Sequence, residues 1–317
     1  MKRSDGETES PPLHWRIAFW LLRKLAVRPY RTQMRLAWLI APVLARCVPK
    51  RRAIAAANIA LCFPLLNAPA QAQLLEANLR STAVGLIESS MAWFAPLRVT
   101  AGVTTVVGIE HLQAALAGGR GALCLFSHFT SIELGGRLLS EALGSPMRQM
   151  VRRHNHPGVE SVIDAGRRDF CAQTIEKHEL GGLLATLKAG YAVGYAPDQN
   201  FNRHMAFVPF FGQPAATLTT TSRIARLTRA PVLCCWVIRS ASGYGYQLRV
   251  DAPLLDFPSK DAHADTARII ALLEAKVRTA PEQYLWAHRR FKTRPEGEAA
   301  AYEAALLKPT PKTNKSA

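Results

Sequence analysis

The sequence predicts an α/β fold, a mixed sheet flanked by helices, with amphipathic helices placed ahead of it. Three observations carry this. Short apolar runs (Ala122–Phe126, Tyr191–Ala196, Val232–Ile238) alternate with segments whose apolar residues recur at helical spacing. The chain, at 317 residues and 49% hydrophobic, is long enough to bury a large core. Two of the apolar runs stop at residues able to do chemistry, His128 and Pro197-Asp198, and open α/β sheets gather reactive groups beyond their strand ends.

Taken in order, residues 1–12 are polar and end in Pro-Pro, the composition of a disordered start. Trp15 to Arg28 and Leu36 to Ala45 are apolar almost all round yet ringed by Arg16, Arg23, Lys24, Arg28 and Arg35. Arginines interrupt both, no cleavage site follows, and neither reaches the ~18–20 apolar residues that span a bilayer. They read as interfacial helices on an anionic surface, with Lys50-Arg51-Arg52 at the headgroups; packing as ordinary amphipathic helices is the alternative. Leu75, Leu79, Ala83, Leu86, Ile87 and Met91 give a long amphipathic helix over 71–94.

Beyond it the pattern gives a strand at 104–107, a helix at 110–116, the strand ending before His128, and a helix over 133–143. A strand at 147–151, helices at 158–167 and 179–189, and a strand at 191–196 follow. A helix at 217–229, strands at 232–238 and 246–250, and a helix at 264–279 complete the core. The organisation is a polar tail with membrane-associating amphipathic helices (1–48), an α/β domain (49–303) and a flexible tail (304–317).

The formal net charge of +17 calls for an anionic partner: nucleic acid, anionic membrane, polyanionic substrate or acidic protein. Six cysteines form no C-x-x-C pair and lie mostly in apolar runs, as in a reducing compartment. No G-x-S-x-G elbow, P-loop or dinucleotide fingerprint occurs, which disfavours serine hydrolase, P-loop NTPase and dinucleotide enzyme.

The densest chemistry is His128-x4-Glu133. On one helix, five residues turn through about 500°, so the pair can meet only if His128 sits on the loop and Glu133 in the first helical turn. A neutral imidazole with a carboxylate orienting it makes a general base. Thr130-Ser-Ile-Glu133 also reads as a capping box, which would make Glu133 structural. Arg152 and Arg153 are candidate phosphate or carboxylate clamps, and Arg167 and Arg168 add two guanidinium groups, or else form a solvated helix end. Asp198 shares the strand-end position of His128, although aspartates are common turn residues there. Phe207, Phe210 and Phe211 form an apolar loop that lines a hydrocarbon channel or packs as core. His154-Asn-His156 invites a metal-nuclease reading but has no supporting cluster, and no metal is assigned. The hydroxyl-rich 217–222 segment opens a helix suited to an anion.

Several motifs in order then carry a resemblance. They are Asn58-Ile-Ala-Leu-Cys-Phe-Pro64, Glu88 to Phe94, His128 to Glu133, Tyr195-Ala-Pro-Asp-Gln199, Phe207 to Gly212, Pro281 to Trp286 and His288-Arg-Arg-Phe-Lys-Thr-Arg-Pro-Glu-Gly297. From about Arg51 to Glu298 the chain resembles the late acyltransferases of lipid A biosynthesis, most of all the lauroyl-transferring members. These belong with the glycerolipid-type acyltransferases that carry His-x4-Asp/Glu. The resemblance implies a glycerol-phosphate acyltransferase-like fold, with His128 and Glu133 as catalytic pair and Arg152, Arg167, Arg168 and Asp198 binding substrate. It implies an acyl carrier protein thioester as donor and a 3-hydroxyacyl chain of a Kdo-bearing lipid A precursor as acceptor. It implies no cofactor, no nucleic acid, and residence on the cytoplasmic face of a bacterial inner membrane. Arg167 would serve the oxyanion or the phosphopantetheine phosphate. Three departures stand out: His156-Pro157 where relatives have Asn-Pro, Asp169 where close relatives have arginine, and no glycine after Asp198. Another membrane glycolipid or aminolipid acceptor, or a basic nucleic-acid-binding protein using His154 and His156, are the competing readings.

Overall fold

The computed structural model describes residues 10–303. Helices α1 (Leu13–Ala26), α2 (Tyr30–Arg46), α3 (Pro49–Cys62), the long α4 (Ala68–Phe94) and the single turn α5 (Leu97–Thr100) come first. Then follow β1 (Thr104–Val107), α6 (Ile109–Ala117), β2 (Ala122–Leu125), α7 (Ile132–Leu143), β3 (Met147–Val151) and α8 (Pro157–Arg167). Next are β4 (Cys171–Glu176), α9 (Leu180–Lys188), β5 (Ala192–Tyr195), β6 (Met205–Phe210) and β7 (Gln213–Leu218). The chain closes with α10 (Thr220–Thr228), β8 (Val232–Arg239), β9 (Tyr246–Val250), α11 (Ala262–Thr279) and a 3-10 turn at Pro281–Gln283.

Seven strands form one sheet in the order β1-β9-β8-β2-β5-β3-β4, parallel throughout except between β8 and β9. This is the mixed sheet flanked by helices that the sequence predicts. The central strand β2 is buried along its whole length, as expected of a parallel strand covered on both faces. One apolar cluster takes Leu123, Leu125, Val193, Tyr195, Cys234 and Trp236 with α9, α10, α11 and the β6–β7 hairpin. The other takes Cys124, Phe126, Leu233, Cys235 and Val237 with α2, α4 and α7. All six cysteines are free, five of them buried.

Helix α4 links the two layers. Asn67 caps it by accepting the Ala70 N–H at 3.0 Å, and proline stands in its first turn. Its 27 residues run ~40 Å, so Leu75 and Leu79 reach one cluster while Ala83 to Ala92 reach the other. Glu88 pins it to β8 and β9: Arg239 donates from Nε and Nη2, and Tyr246 from its hydroxyl, all at 2.7 Å and all buried.

Helices α1 and α2 turn Phe19, Ala26, Tyr30, Met34, Ala37 and Ala41 inward, and the last five belong to the α4 cluster. Their outer faces leave Leu13, Ile17, Trp20, Leu39 and Val43 more than half exposed. The inner faces of α1 and α2 thus pack with the α/β core, while the outer faces stay apolar and open. Lys50, Arg51 and Arg52 begin α3; Arg52 pairs with Glu76, and Arg51 donates to the Ala287 carbonyl at 3.1 Å. Among the described residues, no helix is long and apolar enough to cross a membrane. The expected tail from 304, and the polar start through residue 9, lie outside the described residues.

Two differences from the predicted pattern matter for the site. The 207–214 segment is a hairpin, turned by Phe211 (φ 52°) and Gly212 (φ 75°), and the paired prolines Pro209 and Pro214 hide its strand signal. Strand β4 sits at the sheet edge with a polar, half-exposed pattern and so lacks the apolar run that marks its neighbours. The helix at 217–229 consequently begins later, at Thr220, because residues 217 and 218 finish β7.

Candidate active site

Leu125 of β2 and Tyr195 of β5 are register partners on adjacent parallel strands. His128 and Asp198 each lie three residues further on, so the sheet delivers them side by side. The His128 Nδ1 lies 2.6 Å from Asp198 Oδ1, and the His128 backbone N–H donates to Oδ2 at 2.9 Å. Tyr284 donates its hydroxyl to the same Oδ2 at 3.2 Å. Asp198 is 2% exposed; the His128 side chain keeps 25% of its surface, on the wall of a cleft of about 240 Å3.

Electrostatics fix the proton. Burial pushes the Asp198 carboxyl up, but the charge and hydrogen bonds of His128, with the charge of Arg290, outweigh it and hold the pKa at about 2. An ionised Asp198 accepts, so the ring donates from Nδ1 and presents a lone pair at Nε2. Burial pulls the His128 pKa down, while the Asp198 charge and hydrogen bond more than offset it, leaving the ring more basic than usual. This is a neutral base backed by a carboxylate that stabilises its protonated form.

The carboxylate behind the ring is therefore Asp198, and the expected His128–Glu133 hydrogen bond is not formed. Glu133 sits in the first turn of α7 and points toward α4 and α8. It accepts from Trp93 Nε1 at 3.1 Å and from Arg167 Nε at 3.2 Å, and forms an ion pair with Arg167 Nη2. Nor does it close a capping box. The N-cap is Ser131, whose hydroxyl donates to the Val237 carbonyl at 3.1 Å, and Thr130 meets Ser81 at 3.0 Å. Both His128 and Glu133 line the cleft, but through different neighbours.

Arg167 is 7% exposed and lines the same cleft; its Nη1 is buried with no hydrogen-bond partner among the described residues. A planar guanidinium held by a carboxylate on one edge, with an unpaired N–H on another, is a donor prepared for an anion. Gly166 lets α8 come close enough: a Cβ there would sit 2.5 Å from the Trp93 Cβ. Gly85 does the same under the histidine loop, where a Cβ would meet the Thr130 carbonyl oxygen at 2.5 Å.

The remaining predicted residues divide. Arg152, just past β3, stands at the rim and also lines an adjoining polar groove of about 720 Å3 with Arg153, Arg168 and Lys177. Arg168 is on that groove and not in the cleft. Asp198 lies behind the ring, with its oxygens engaged by His128 and Tyr284. Phe210 and Phe211 are buried in an aromatic cluster with Trp286 (6.3 and 5.8 Å between ring centres), and neither they nor Phe207 line the cleft. Its apolar walls are Phe126, Ile132, Met150, Val151 and Ala196. His156 caps α8, accepting the Gly158 N–H at 3.1 Å.

Sequence reasoning missed the C-terminal support. Leu285 donates to the His128 carbonyl at 2.9 Å and Thr130 to the Gln283 carbonyl at 2.8 Å, so residues 283–285 run beside the histidine loop. Asn78 donates to the carbonyls of Glu282 (2.9 Å) and Tyr284 (2.6 Å); Asn58 donates to those of Trp286 (2.6 Å) and His288 (2.7 Å). Both asparagines are fully buried on helices. Asparagine on the apolar face of a helix was the available signal, because a buried amide requires partners.

Comparison with known proteins gives the family. Residues 11–293 match the family described as bacterial lipid A biosynthesis acyltransferase. The chain is 35% identical over 298 residues to a lipid A biosynthesis palmitoleoyltransferase of Escherichia coli K12, covering 92% of this chain and 95% of that one. It is 35% identical over 285 residues to a lipid A biosynthesis lauroyltransferase of the same organism, covering 89% and 92%. A lipid A biosynthesis myristoyltransferase from the same strain is 26% identical over 268 residues, covering 82% and 80%. The family match over residues 11–293, with relatives 35% identical along about nine-tenths of the chain, places it among the bacterial lipid A biosynthesis acyltransferases.

Proposed function

We propose that this acyltransferase moves a fatty acyl chain, lauroyl by resemblance, from an acyl carrier protein thioester to the 3-hydroxyl of an acyl chain on a Kdo-bearing lipid A precursor. The observation that carries the reading is the His128 ring, held at Nδ1 by Asp198 and facing a cleft shared with Arg167. The acceptor hydroxyl gives its proton to His128 Nε2 as its oxygen attacks the thioester carbonyl carbon. The Arg167 Nη1 donates to the oxyanion, and Glu133 holds that guanidinium in place. As the intermediate collapses, the C–S bond breaks and His128 returns the proton to the leaving sulfur. Every atom is accounted for without a cofactor.

The adjoining groove sets Arg152, Arg153, Arg168 and Lys177 among Glu160, Asp164, Glu176 and Glu179, and its guanidinium groups are suited to a phosphorylated headgroup or the phosphate of a carrier arm. Helix α1 reaches its rim, with Trp15 edge-on to His154 at 5.6 Å between ring centres. Exposed Trp20 and Leu39 beside Arg16, Arg23 and Arg35 support binding in the interface of the cytoplasmic leaflet of an inner membrane. The net charge of +17 favours both an acidic carrier protein and an anionic lipid.

The test is expression in a strain lacking its late lipid A acyltransferases, with mass spectrometry of the lipid A produced. One added acyl mass on the precursor, lost with His128→Ala, is expected. Unchanged lipid A alongside an acylated glycolipid or aminolipid would move the acceptor to that class.

A further inference from the structure

The cleft runs inward between α7 and the sheet face beneath it. Gln149 of β3 and Gly194 of β5 are register partners. On both strands the next residue on that face, Val151 or Ala196, lies ~6.6 Å nearer the catalytic edge, which makes Gln149 and Gly194 the inner row. Gly136 of α7 covers this row. A Cβ at 136 would sit 2.2 Å from Gln149 Nε2; one at 194 would sit 3.5 Å from the Phe126 ring and 3.6 Å from Gln149 Cγ.

Gly136 thus makes room for the amide, and Gly194 leaves the space beside it unfilled, at the inner end of the cleft. The Gln149 side chain is half-buried and lines the cleft, where its amide can be hydrated. An alkyl tail that reached it would strip that water and offer no hydrogen bond in return. The amide therefore stops the tail by polarity as well as bulk. The cleft volume of about 240 Å3 exceeds the ~150 Å3 that accommodates a benzene ring elsewhere, which is room for part of a fatty chain.

We propose that Gln149, seated between Gly136 and Gly194, sets the length of the acyl chain this enzyme transfers; the inference rests on the acyltransferase reading of the cleft. Gln149→Ala opens the inner end and moves preference to longer donors. Gly194→Ala adds a methyl group at ordinary contact distances and moves it to shorter ones. Each methylene moved into or out of apolar surroundings changes a preference about fourfold, so a two-carbon change shifts a product ratio by roughly fifteenfold.

The experiment offers full-length protein an equimolar mixture of saturated acyl carrier protein thioesters from ten to sixteen carbons, with lipid A precursor vesicles. Product masses are read as ratios, so a lower total rate does not enter, and thermal melts confirm folding. Opposite shifts for the two variants are expected. If both variants transfer with the parental length profile while His128→Ala is inactive, the length role of Gln149 is overturned and the transferase reading stands. If His128→Ala transfers like the parent, the cleft is not the acyl site and both fall. Should Gln149→Ala fail to fold, the Gly194→Ala shift alone decides.

Discussion

At the scale of single residues, the site separates two carboxylates that the sequence invites one to merge. Asp198 holds the base, and Glu133 holds the arginine. Replacing Asp198 with Asn keeps the shape but removes the charge that makes the Nδ1–H tautomer and the raised His128 pKa favourable. A loss of about 10³–10⁴ in kcat is expected, as for a base left in the wrong tautomer. Activity needs neutral His128, so the parental rate climbs with pH through a value above 6.5. In Asp198→Asn that climb moves to lower pH; a pH–rate profile checks both points. Glu133→Gln leaves Nδ1 of His128 on Asp198 but loosens Arg167, and about 10²-fold in kcat is expected with the pH profile unmoved. His128 and Glu133 were legible from their spacing. Their division of labour was not, because Asp198 stands 70 residues away and only strand register joins it to the ring.

Among the elements, α1 and α2 carry two apolar faces, one packed on α4 and one facing out. The sequence showed apolar residues all round with a ring of arginines, which fits both packing and membrane contact, and the structure assigns the inner half to packing. The outer half can be altered without touching that core. Trp20→Glu with Leu39→Glu, at sites 58% and 74% exposed, is expected to reduce sedimentation with anionic vesicles severalfold while the melting temperature stays put. Most core elements were readable because strands with both faces covered, and helices with one, leave plain periodicities. The hairpin β6–β7, the edge strand β4 and α3 were not. Prolines interrupt the first, solvent faces the second, and the third is alanine-rich with little contrast between its sides.

For the whole molecule, the last described segment matters as much as the sheet. His288 accepts the Asn200 N–H at its Nε2, 3.1 Å away, and so is needed neutral. Burial, helped by the nearby His128, takes its pKa from 6.5 down to about 3. Unfolded chains bind this proton below pH 6.5 and the folded chain does not, so stability is full above that value and falls as pH drops toward 3. At ~1.4 kcal/mol per pH unit the loss amounts to a few kcal/mol. His288→Gln keeps an acceptor for Asn200 and is expected to flatten the decline, which melting temperatures measured across this range will show.

The strip from Gln283 to His288 also dictates when the enzyme can first work. It is made after every strand of the sheet, yet it props the loop bearing the base and is stapled to α3 and α4, which were made more than two hundred residues earlier. A nascent chain can therefore lay down most of its strands and still lack a competent histidine. Chemistry waits for this strip, and a ribosome that stalls short of it releases an inert product.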